Sequence, residues 1–306
     1  MGSNVIPIAM VTDDNYIMPT SVTIKSLIKN KKPDTIYEIY IITDKVSVDS
    51  KKILKTFEVQ NVNINIIDYQ NKYKDLYNEN SYVSNATFIR FDIPDLLKDF
   101  DKILYLDVDM IIQKDLTDLY NTNLNDTYAG VVLDIGELFY DLTIRTGLKQ
   151  YFNAGMILYN AKKYREENLA EKLLEIYKKD SKKLVLMDQD ALNIGFNNNI
   201  TILPPEYNYQ QSISEYWNGE VKKYYSLSKN TNIENVSIIH YTRMKPWIYK
   251  YVYLKDLWMK YYNLTLYKNE KLNLKSGLLL RVYFHLRAKF KLRAINKILK
   301  KIQRKK

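Results

Sequence analysis

Two carboxylates separated by one residue follow an apolar run near the middle of the chain. Lys102–Leu106 reads as a short strand, and Asp107 and Asp109 come directly after it. Side chains alternate along extended backbone, so both carboxylates should point to the same side, at the carboxyl end of the strand, where open α/β sheets hold their ligands. A hard divalent cation carrying a phosphate-bearing ligand would relieve the repulsion between the acids, although the pattern alone also fits two solvated acids at a strand exit.

The apolar pattern predicts the elements that would hold this pair in place. Buried strands are expected at residues 5–11, 37–42 and 62–67, with amphipathic helices at residues 20–28 and 48–57 between them. This alternation of strands and helices implies right-handed crossovers and a mostly parallel sheet with helices on both faces. We therefore predict an α/β fold.

The rest of the chain continues the pattern with shorter elements. Residues 85–91 should be helical and include Arg90, and residues 151–155 read as a tight turn. The strand at residues 236–239 leads directly to His240, which, considered alone, is more often a core residue than a metal ligand. Other strands are predicted at residues 129–133, 156–159 and 200–203, and helices at residues 169–177 and from residue 187.

Length and composition limit the class of protein. The 306 residues are 46% apolar and 26% charged, as in a soluble globular protein with one large α/β domain and an appendage. The chain has no cysteine, which excludes disulfides and thiolate metal sites and fits a reducing compartment. Apolar runs are shorter than the roughly 18 residues that span a bilayer, and the first residues lack the features of a secretory signal. We expect a protein that is neither translocated nor inserted.

The net charge of +11 is concentrated at the carboxyl end of the chain. Residues 268–306 carry +13, and the preceding 267 residues carry −2. In this tail basic residues surround apolar ones at helical spacing, such as Leu292, Ile295 and Leu299. We predict a basic amphipathic helix that associates with an anionic membrane surface through residues 276–306. The alternatives are a solvated charged helix and a nucleic-acid-binding tail, and we expect no nucleic-acid partner.

Five polar motifs follow one another along the chain: Asp13-Asp14-Asn15, Asp107-Val108-Asp109, Asn153-Ala154-Gly155, Asp188-Gln189-Asp190, and His240-Tyr241 followed by Lys245-Pro246-Trp247. In this order the chain resembles the retaining glycosyltransferases of family 8, the group that includes glycogenin and the bacterial lipooligosaccharide galactosyltransferases. The resemblance covers residues 5–250 and implies a GT-A-type, Rossmann-like nucleotide-sugar-binding domain over residues 1–250. Residues 251–306 would form a C-terminal helical subdomain and the basic tail.

By position, the resemblance implies that Asp107, Asp109 and His240 bind Mn²⁺, with Mg²⁺ as a substitute. The chemistry agrees, because two carboxylates and one imidazole form a mixed oxygen and nitrogen site that suits manganese better than calcium. Such a site would leave coordination positions for two diphosphate oxygens of a UDP-sugar donor.

The resemblance also assigns the donor-binding residues. Arg90 would contact the donor sugar, Asp188 would bind sugar hydroxyls and Gln189 would lie beneath the anomeric carbon. Considered singly, Arg90 also fits an ordinary surface arginine, and Asp188 and Gln189 also fit a helix cap. The residues expected to hold uracil and ribose are Val11, Thr12, Asp13 and Asn15; without the resemblance, this segment also fits an Asx turn. Val108 would lie beside the cation. Asn153 and Ala154 would lie at the hexose, and without the resemblance they also fit a tight turn.

The chain departs from the family pattern between His240 and Lys245. Family members commonly carry a glycine there, whereas this sequence has Arg243. Lys245 would contact the diphosphate, and the guanidinium of Arg243 could clamp a phosphate in place of the glycine backbone. This departure keeps open a second interpretation, a catalytically impaired protein of the same fold that binds a nucleotide sugar or carbohydrate.

The implied reaction moves a hexose, galactose or glucose, to a hydroxyl of a cell-surface glycan, glycolipid or glycoprotein, with retention. The candidate catalytic residues are Asp188, Gln189, Asp190 and Lys245. The sequence leaves two routes open: a front-face route, or a covalent intermediate on Gln189 or Asp190. A metal-dependent phosphohydrolase is a weaker alternative, since it needs a second metal cluster or a nucleophilic Asp. We expect a cytoplasmic protein on the inner face of the cell membrane.

Overall fold

The computed structural model describes residues 5–73, 76, 85–181, 183–211, 235–283 and 286. The strands within these residues are β1 (Val5–Val11), β2 (Ile36–Thr43), β3 (Val62–Asp68), β4 (Lys102–Leu106), β5 (Met110–Ile112), β6 (Ala129–Leu133), β7 (Phe152–Asn160), β8 (Ile200–Ile202), β9 (Tyr209–Gln210) and β10 (Ile238–His240). The α-helices are α1 (Ile17–Asn30), α2 (Val48–Lys55), α3 (Ile93–Leu96), α4 (Thr117–Tyr120), α5 (Glu137–Tyr140), α6 (Leu142–Thr146), α7 (Ala161–Glu166), α8 (Leu169–Asp180), α9 (Met187–Phe196) and α10 (Lys255–Tyr262). Short 3-10 helices occupy Asp14–Tyr16, Asn85–Phe91, Pro205–Tyr207 and Leu266–Asn269.

The main sheet of the described chain has the strand order β3-β2-β1-β4-β7-β6-β8. Strands β3, β2, β1 and β4 are parallel, β7 is antiparallel to both β4 and β6, and β8 is parallel to β6. The sheet is therefore mixed and mostly parallel, which confirms the predicted fold class. The parallel strands β1 and β4 are neighbours, so the polar residues that follow them lie side by side at one edge of the sheet.

A second, three-stranded sheet carries the histidine of the site. It has the order β5-β10-β9, with β10 antiparallel to β5 and parallel to β9. Its register pairs His240 with Met110, the residue that follows Asp109. The pairing of β10 with β5 thus brings the imidazole next to the carboxylate pair, although the two motifs are far apart in sequence.

Both faces of the main sheet are buried, which explains why β1 is apolar at nearly every position. Ile8 and Met10 face one core, which includes Ile24 of α1. Ala9 and Val11 face a second core, to which helices α8 and α9 contribute. The two layers of helix hold the strand ends rigidly, so the site is built on a packed scaffold.

One predicted local structure is wrong. Residues 151–155 were expected to form a tight turn, but β7 begins at Phe152 and includes Asn153, Ala154 and Gly155. The backbone N–H of Asp107 donates to the carbonyl of Gly155 at 2.8 Å. The strand extends through this polar and small segment because a neighbouring strand end satisfies its backbone, and local sequence preference does not report such tertiary pairing.

The C-terminal part packs beside α1 and the second sheet. Trp258 of α10 is fully buried and stacks on Tyr262, in a cluster that also contains Ile239 of β10. Residues 278–283 are helical. The predicted amphipathic segment from residue 287 onward, including Leu292, lies outside the described residues. No helix within the described part of the chain is long and apolar enough to cross a membrane.

Candidate functional site

A cleft with a volume of about 460 Å³ opens where β1 and β4 end. Residues from the end of β1, the β4–β5 connection, β7, α9 and β10 meet in it, so the five motifs converge on one place. The predicted site residues that line this cleft are Val11, Thr12, Asp13, Arg90, Asp107, Val108, Asp109, Asn153, Asp188, Gln189, His240 and Lys245.

Asp107, Asp109 and His240 form a compact cluster in the middle of the cleft. Nε2 of His240 lies 3.2 Å from Oδ1 of Asp109 and 3.7 Å from Oδ2 of Asp107. One candidate ligand atom from each residue lies within 4.8 Å of the other two. This donor set of two carboxylates and one imidazole can hold a divalent cation.

The two oxygens of Asp107 have different surroundings. Its Oδ1 accepts hydrogen bonds from the hydroxyl of Tyr105 at 2.5 Å and from Nη2 of Arg90 at 3.3 Å. The guanidinium of Arg90 also lies over the ring of Tyr105, 5.0 Å from its centroid. These contacts fix the carboxylate so that Oδ2 faces His240. Tyr105 was not predicted, although its position two residues before Asp107 places it on the same side of an extended chain.

Asp109 is buried beside two basic side chains. Nζ of Lys245 donates to Oδ2 of Asp109 and, at 2.6 Å, to the carbonyl of Tyr241. Burial alone would raise the pKa of the Asp109 carboxyl, but Lys245 and His240 outweigh it and hold this pKa well below its usual range. Within the described chain, Oδ1 of Asp109 has no hydrogen-bond partner. A buried, ionised oxygen of this kind is suited to bind a cation.

Asp188 and Arg90 form a buried pair on the other side of the cleft. Nε of Arg90 lies 3.1 Å from Oδ2 of Asp188, but it donates its hydrogen bond to the carbonyl of Thr87 at 3.0 Å. Burial raises the pKa of the Asp188 carboxyl to about 6, against the opposing charge of Arg90. Oδ2 of Asp188 has no hydrogen-bond partner in the described structure. It is therefore available to accept a hydrogen bond from a ligand hydroxyl.

Both ends of the Gln189 amide are held by the protein. Its Oε1 accepts from the backbone N–H of Ala154 at 2.9 Å and from Nδ2 of Asn153 at 3.4 Å. Its Nε2 donates to Oδ2 of Asp134 at 2.9 Å and lies 3.5 Å from the hydroxyl of Tyr151. Gln189 lines the cleft with its amide oxygen already engaged.

Asp190, the other candidate nucleophile, does not reach the cleft. The residue is completely buried, and its two oxygens accept from Nη1 and Nη2 of Arg145 at 2.5 and 2.7 Å. The hydroxyl of Tyr151 and the backbone N–H of Leu186 also donate to this carboxylate. The geometry assigns Asp190 to the bracing of α9 against the segment that carries Arg145.

Two further predicted residues do not line the cleft with their side chains. Asn15 is exposed, and its backbone N–H donates to Oδ1 of Asp13 at 2.9 Å, which is the Asx turn named as the alternative. Ala154 is buried, and its carbonyl accepts from Nη1 of Arg90 at 2.9 Å. Ala154 therefore acts through its backbone, by positioning Arg90 and Gln189.

Arg243 is also absent from the lining of the cleft. Its Nη2 donates to the hydroxyl of Tyr140 at 2.6 Å, and its guanidinium lies over the ring of the same tyrosine, 5.0 Å from the centroid. A phosphate clamp by Arg243 stays a prediction. Since Tyr140 belongs to the short helix α5, the contact joins the loop that carries Lys245 to the segment after β6.

Sequence reasoning missed several lining residues. The ring of Tyr16 forms one wall, and the edge of Trp247 supports it at a centroid distance of 6.1 Å. Tyr16 follows the first-strand motif directly, so its position carried a usable signal. The other lining residues that were not predicted are Thr87, Val185, Leu186 and Thr242. No pattern in the sequence indicated that they line the cleft.

A mixed, mostly parallel sheet with an Asp-x-Asp pair after its central strand β4, and a second sheet that brings a histidine beside this pair, define a GT-A-type α/β protein. Comparison with known families agrees with this class. The family description "Glycosyl transferase family 8" matches residues 7–250. The chain belongs to that glycosyltransferase family.

Individual relatives share the sequence and the fold over most of this chain. The chain is 28% identical over 260 residues to "Glycosyltransferase GlyF" of Streptococcus pneumoniae serotype 4, which covers 84% of this chain and 61% of that protein. It is 29% identical over 272 residues to "Lipopolysaccharide 1,2-glucosyltransferase" of Escherichia coli K12, which covers 86% and 78%. The chain thus spans less than two thirds of the length of GlyF.

A solved structure supports the fold assignment. The galactosyltransferase LgtC, in complex with donor and acceptor sugar analogs, superposes with a TM-score of 0.74 over 85% of this chain and 96% of its own. The two sequences are 21% identical. At this identity the likeness establishes the fold, and the roles of individual residues rest on the geometry described above.

Proposed function

We propose that this protein transfers a hexose, galactose or glucose, from a UDP-sugar to a hydroxyl of a glycan acceptor, with retention at the anomeric carbon and with a divalent cation. Membership of glycosyltransferase family 8 supports the reaction class. The observation that carries the proposal is the convergence of Asp107, Asp109 and His240 in a cleft that also presents Asp188 and Gln189.

The residues present fit a divalent cation. Asp107 Oδ2, the unpartnered Oδ1 of Asp109 and the imidazole of His240 offer oxygen and nitrogen ligands, which suit Mn²⁺, with Mg²⁺ as a substitute. When bound, the cation would supply positive charge to a nucleoside diphosphate leaving group.

Other residues of the chain would bind and orient the donor. Thr12, Asp13 and Tyr16 lie at the end of β1 and would hold the nucleoside. Lys245, which is paired with Asp109 in the structure, would turn its ammonium group toward the diphosphate, whose negative charge grows as the bond to the sugar breaks. At the opposite side, Oδ2 of Asp188 would accept a hydrogen bond from a hexose hydroxyl.

The arrangement of α9 favours the front-face route. The oxygen of Gln189 already accepts a backbone N–H, and both oxygens of Asp190 are bound by Arg145, so neither residue offers a free nucleophile. In the proposed step, the bond between the anomeric carbon and the phosphate oxygen breaks while the acceptor oxygen bonds to the same face. The acceptor proton passes to the departing diphosphate oxygen.

The acceptor and the cellular location are part of the proposal. Relatives named for lipopolysaccharide and galactose transfer support a glycan, glycolipid or glycoprotein acceptor at the cell surface. Within the strongly basic tail, the helix at residues 278–283 exposes apolar residues such as Leu279 and Val282. They support association with the anionic, cytoplasmic face of a membrane.

The test is release of the nucleoside diphosphate from a panel of UDP- and GDP-sugars with Mn²⁺, Mg²⁺ or EDTA, with the anomeric configuration of the product read by NMR. Asp109→Asn should lower turnover on the order of 100-fold, because a charge that preorganises the site is lost. Asp126→Asn, at an exposed carboxylate that pairs with Lys163, is the matched control.

Near-normal Mn²⁺-dependent turnover in the Asp109→Asn variant would contradict the assignment of the cation site. Binding of UDP without turnover of any sugar in the panel would instead favour the impaired, carbohydrate-binding interpretation. An inverted product would refute the retaining reaction.

A further inference from the structure

The imidazole of His240 contacts different partners through its two nitrogens. Nε2 faces Asp107 and Asp109, whereas Nδ1 lies 3.0 Å from Oδ1 of Asn208. Asn208 is completely buried and stands immediately before β9, the strand that pairs with β10. A neutral imidazole can bind a cation through Nε2 only when the proton is on Nδ1.

A row of hydrogen bonds that begins at Asp134 determines how the neighbouring amides are oriented. The carboxylate of Asp134 accepts from the backbone N–H of Gly136 at 2.6 Å and from Nδ2 of Asn153 at 3.1 Å. Oδ1 of Asn153 accepts from the backbone N–H of Gly155 at 3.1 Å, and a backbone N–H can only donate. Both ends of the Asn153 amide are therefore determined without reference to His240.

The orientation of Asn208 follows from that of Asn153. Nδ2 of Asn208 donates to Oδ1 of Asn153 at 3.0 Å, which leaves its own Oδ1 to face the imidazole. An amide oxygen can only accept, so Nδ1 of His240 must carry the proton. In the neutral ring, Nε2 is then the nitrogen without a proton, and it faces the two carboxylates.

We propose that Asn208 is a positioning residue that sets the tautomer and the ring orientation of His240 for cation binding, as the last member of the row Asp134, Asn153 and Asn208. This inference rests on the proposed cation site. Asn208 is absent from the cleft lining, so it acts through His240 and not by contact with a substrate. Partners of this kind typically change metal affinity by about 10- to 100-fold.

Binding of Mn²⁺ alone, followed by electron paramagnetic resonance of the free ion, tests the proposal on the full chain without donor or acceptor. Asn208→Leu keeps the volume but removes the acceptor, and it should weaken Mn²⁺ binding by about 10- to 100-fold. Asn208→Asp keeps an acceptor for Nδ1–H, and it should bind Mn²⁺ within about threefold of the parent protein, since carboxylate–histidine pairs also support metal binding.

Gln210→Leu is the matched control. Gln210 is an equally buried amide in the adjoining strand, but its side chain bonds to Ile135 and Leu133 and not to the imidazole. This variant should lose thermal stability without losing Mn²⁺ affinity. If Asn208 had only a structural role, the Mn²⁺ affinities of the two variants would follow the opposite order, because a buried carboxylate disturbs packing more than an isosteric leucine. Tighter Mn²⁺ binding by Asn208→Leu than by Asn208→Asp would therefore overturn the proposal.

The tautomer can be read directly, because the chain has two histidines, His240 and His285. With ¹⁵N-labelled histidine, and His285→Gln to assign the signals, long-range ¹H–¹⁵N spectra at a pH where the ring is neutral should show the Nδ1–H form of His240. The Nε2–H form in the otherwise unchanged protein would refute the inference, even if Mn²⁺ binds. Absence of Mn²⁺ binding together with the Nδ1–H form would instead count against the proposed function and leave the tautomer assignment standing.

Discussion

Gly155 lies so close to His240 that a β-carbon built on its backbone would be 2.2 Å from Cε1 of the imidazole. The same carbon would be 2.8 Å from Oδ2 of Asp107. The two candidate ligands therefore meet in the space that a side chain at this position would fill. The glycine of the Asn-Ala-Gly motif is required for close approach of a strand to the site, and not for a turn.

Gly155→Ala should reduce Mn²⁺ affinity by at least about tenfold, since the added methyl group must displace the imidazole or the carboxylate. The measurement is Mn²⁺ binding by electron paramagnetic resonance, with circular dichroism to verify the fold. Gly147→Ala, where a β-carbon meets nothing within 4 Å, gives a control for the substitution itself, although its positive φ of 73° adds local strain. Unchanged Mn²⁺ affinity in Gly155→Ala would show that these side chains do not meet around a cation.

Asp190→Asn should act mainly on stability. It breaks a buried pair with Arg145, and loss of one partner of such a pair costs about 3 kcal/mol or more in the free energy of unfolding. Urea unfolding measures this loss, and Arg145→Met should produce a loss of similar size. The double variant Arg145→Met/Asp190→Leu should lose less than the sum of the single variants, because no unpaired charge remains buried.

The same Asp190 variant tests Asp190 as the nucleophile of a covalent route. In the front-face route, the turnover that remains after correction for the folded fraction should be within about 100-fold of the parent protein, since Asp190 would act only by bracing α9. A stable, folded Asp190→Asn protein without measurable turnover, or a glycosylated Asp190 in intact-protein mass spectra, would instead support a covalent intermediate.

Asp188 should make stability depend on pH. Its carboxyl has a pKa of about 6 in the folded protein, raised by burial from 3.8, so the folded state binds more protons than the unfolded state between these values. The free energy of unfolding should therefore fall as the pH rises from 4 toward 6, by up to about 3 kcal/mol from this group. In Asp188→Asn this part of the fall should be absent.

Urea unfolding of the parent protein and Asp188→Asn at several pH values between 4.5 and 7 measures the difference. Asp126→Asn, at an exposed carboxylate, should follow the pH profile of the parent protein. If stability depends on pH in the same way in the parent protein and in Asp188→Asn, the pKa of the Asp188 carboxyl is not raised in the folded state.

The basic tail should carry any membrane association. A chain ending at Lys275 keeps the backbone hydrogen bonds of Lys275 with Ile248 and Lys250, so its folded domain should persist. Flotation with liposomes containing anionic lipid should recover the full-length protein but not the truncated chain, and high salt should weaken the binding. Equal flotation of both chains would assign the association to another surface.

The fold could be predicted from short-range patterns, and the centre of the site from the family resemblance. Apolar runs of alternating strand and helix character identified the main strands, and the ends of neighbouring parallel strands necessarily meet at one edge of a sheet. The resemblance to family 8 then implied that Asp107, Asp109 and His240 lie together, as the structure has them. The strands and helices are encoded locally because each depends on the residues of one element, whereas the cluster depends on the pairing of β10 with β5.

The partners of the site residues depended on tertiary structure. The motifs predicted candidate site residues, whereas their contacts formed on folding: Arg145 binds Asp190, Tyr140 binds Arg243, and Asn208 faces Nδ1 of His240. Hydrogen bonds and ion pairs form over distances of about 3 Å between segments that are remote in sequence. A change of one residue in register or in loop path alters them, so no pattern within a single segment reveals them.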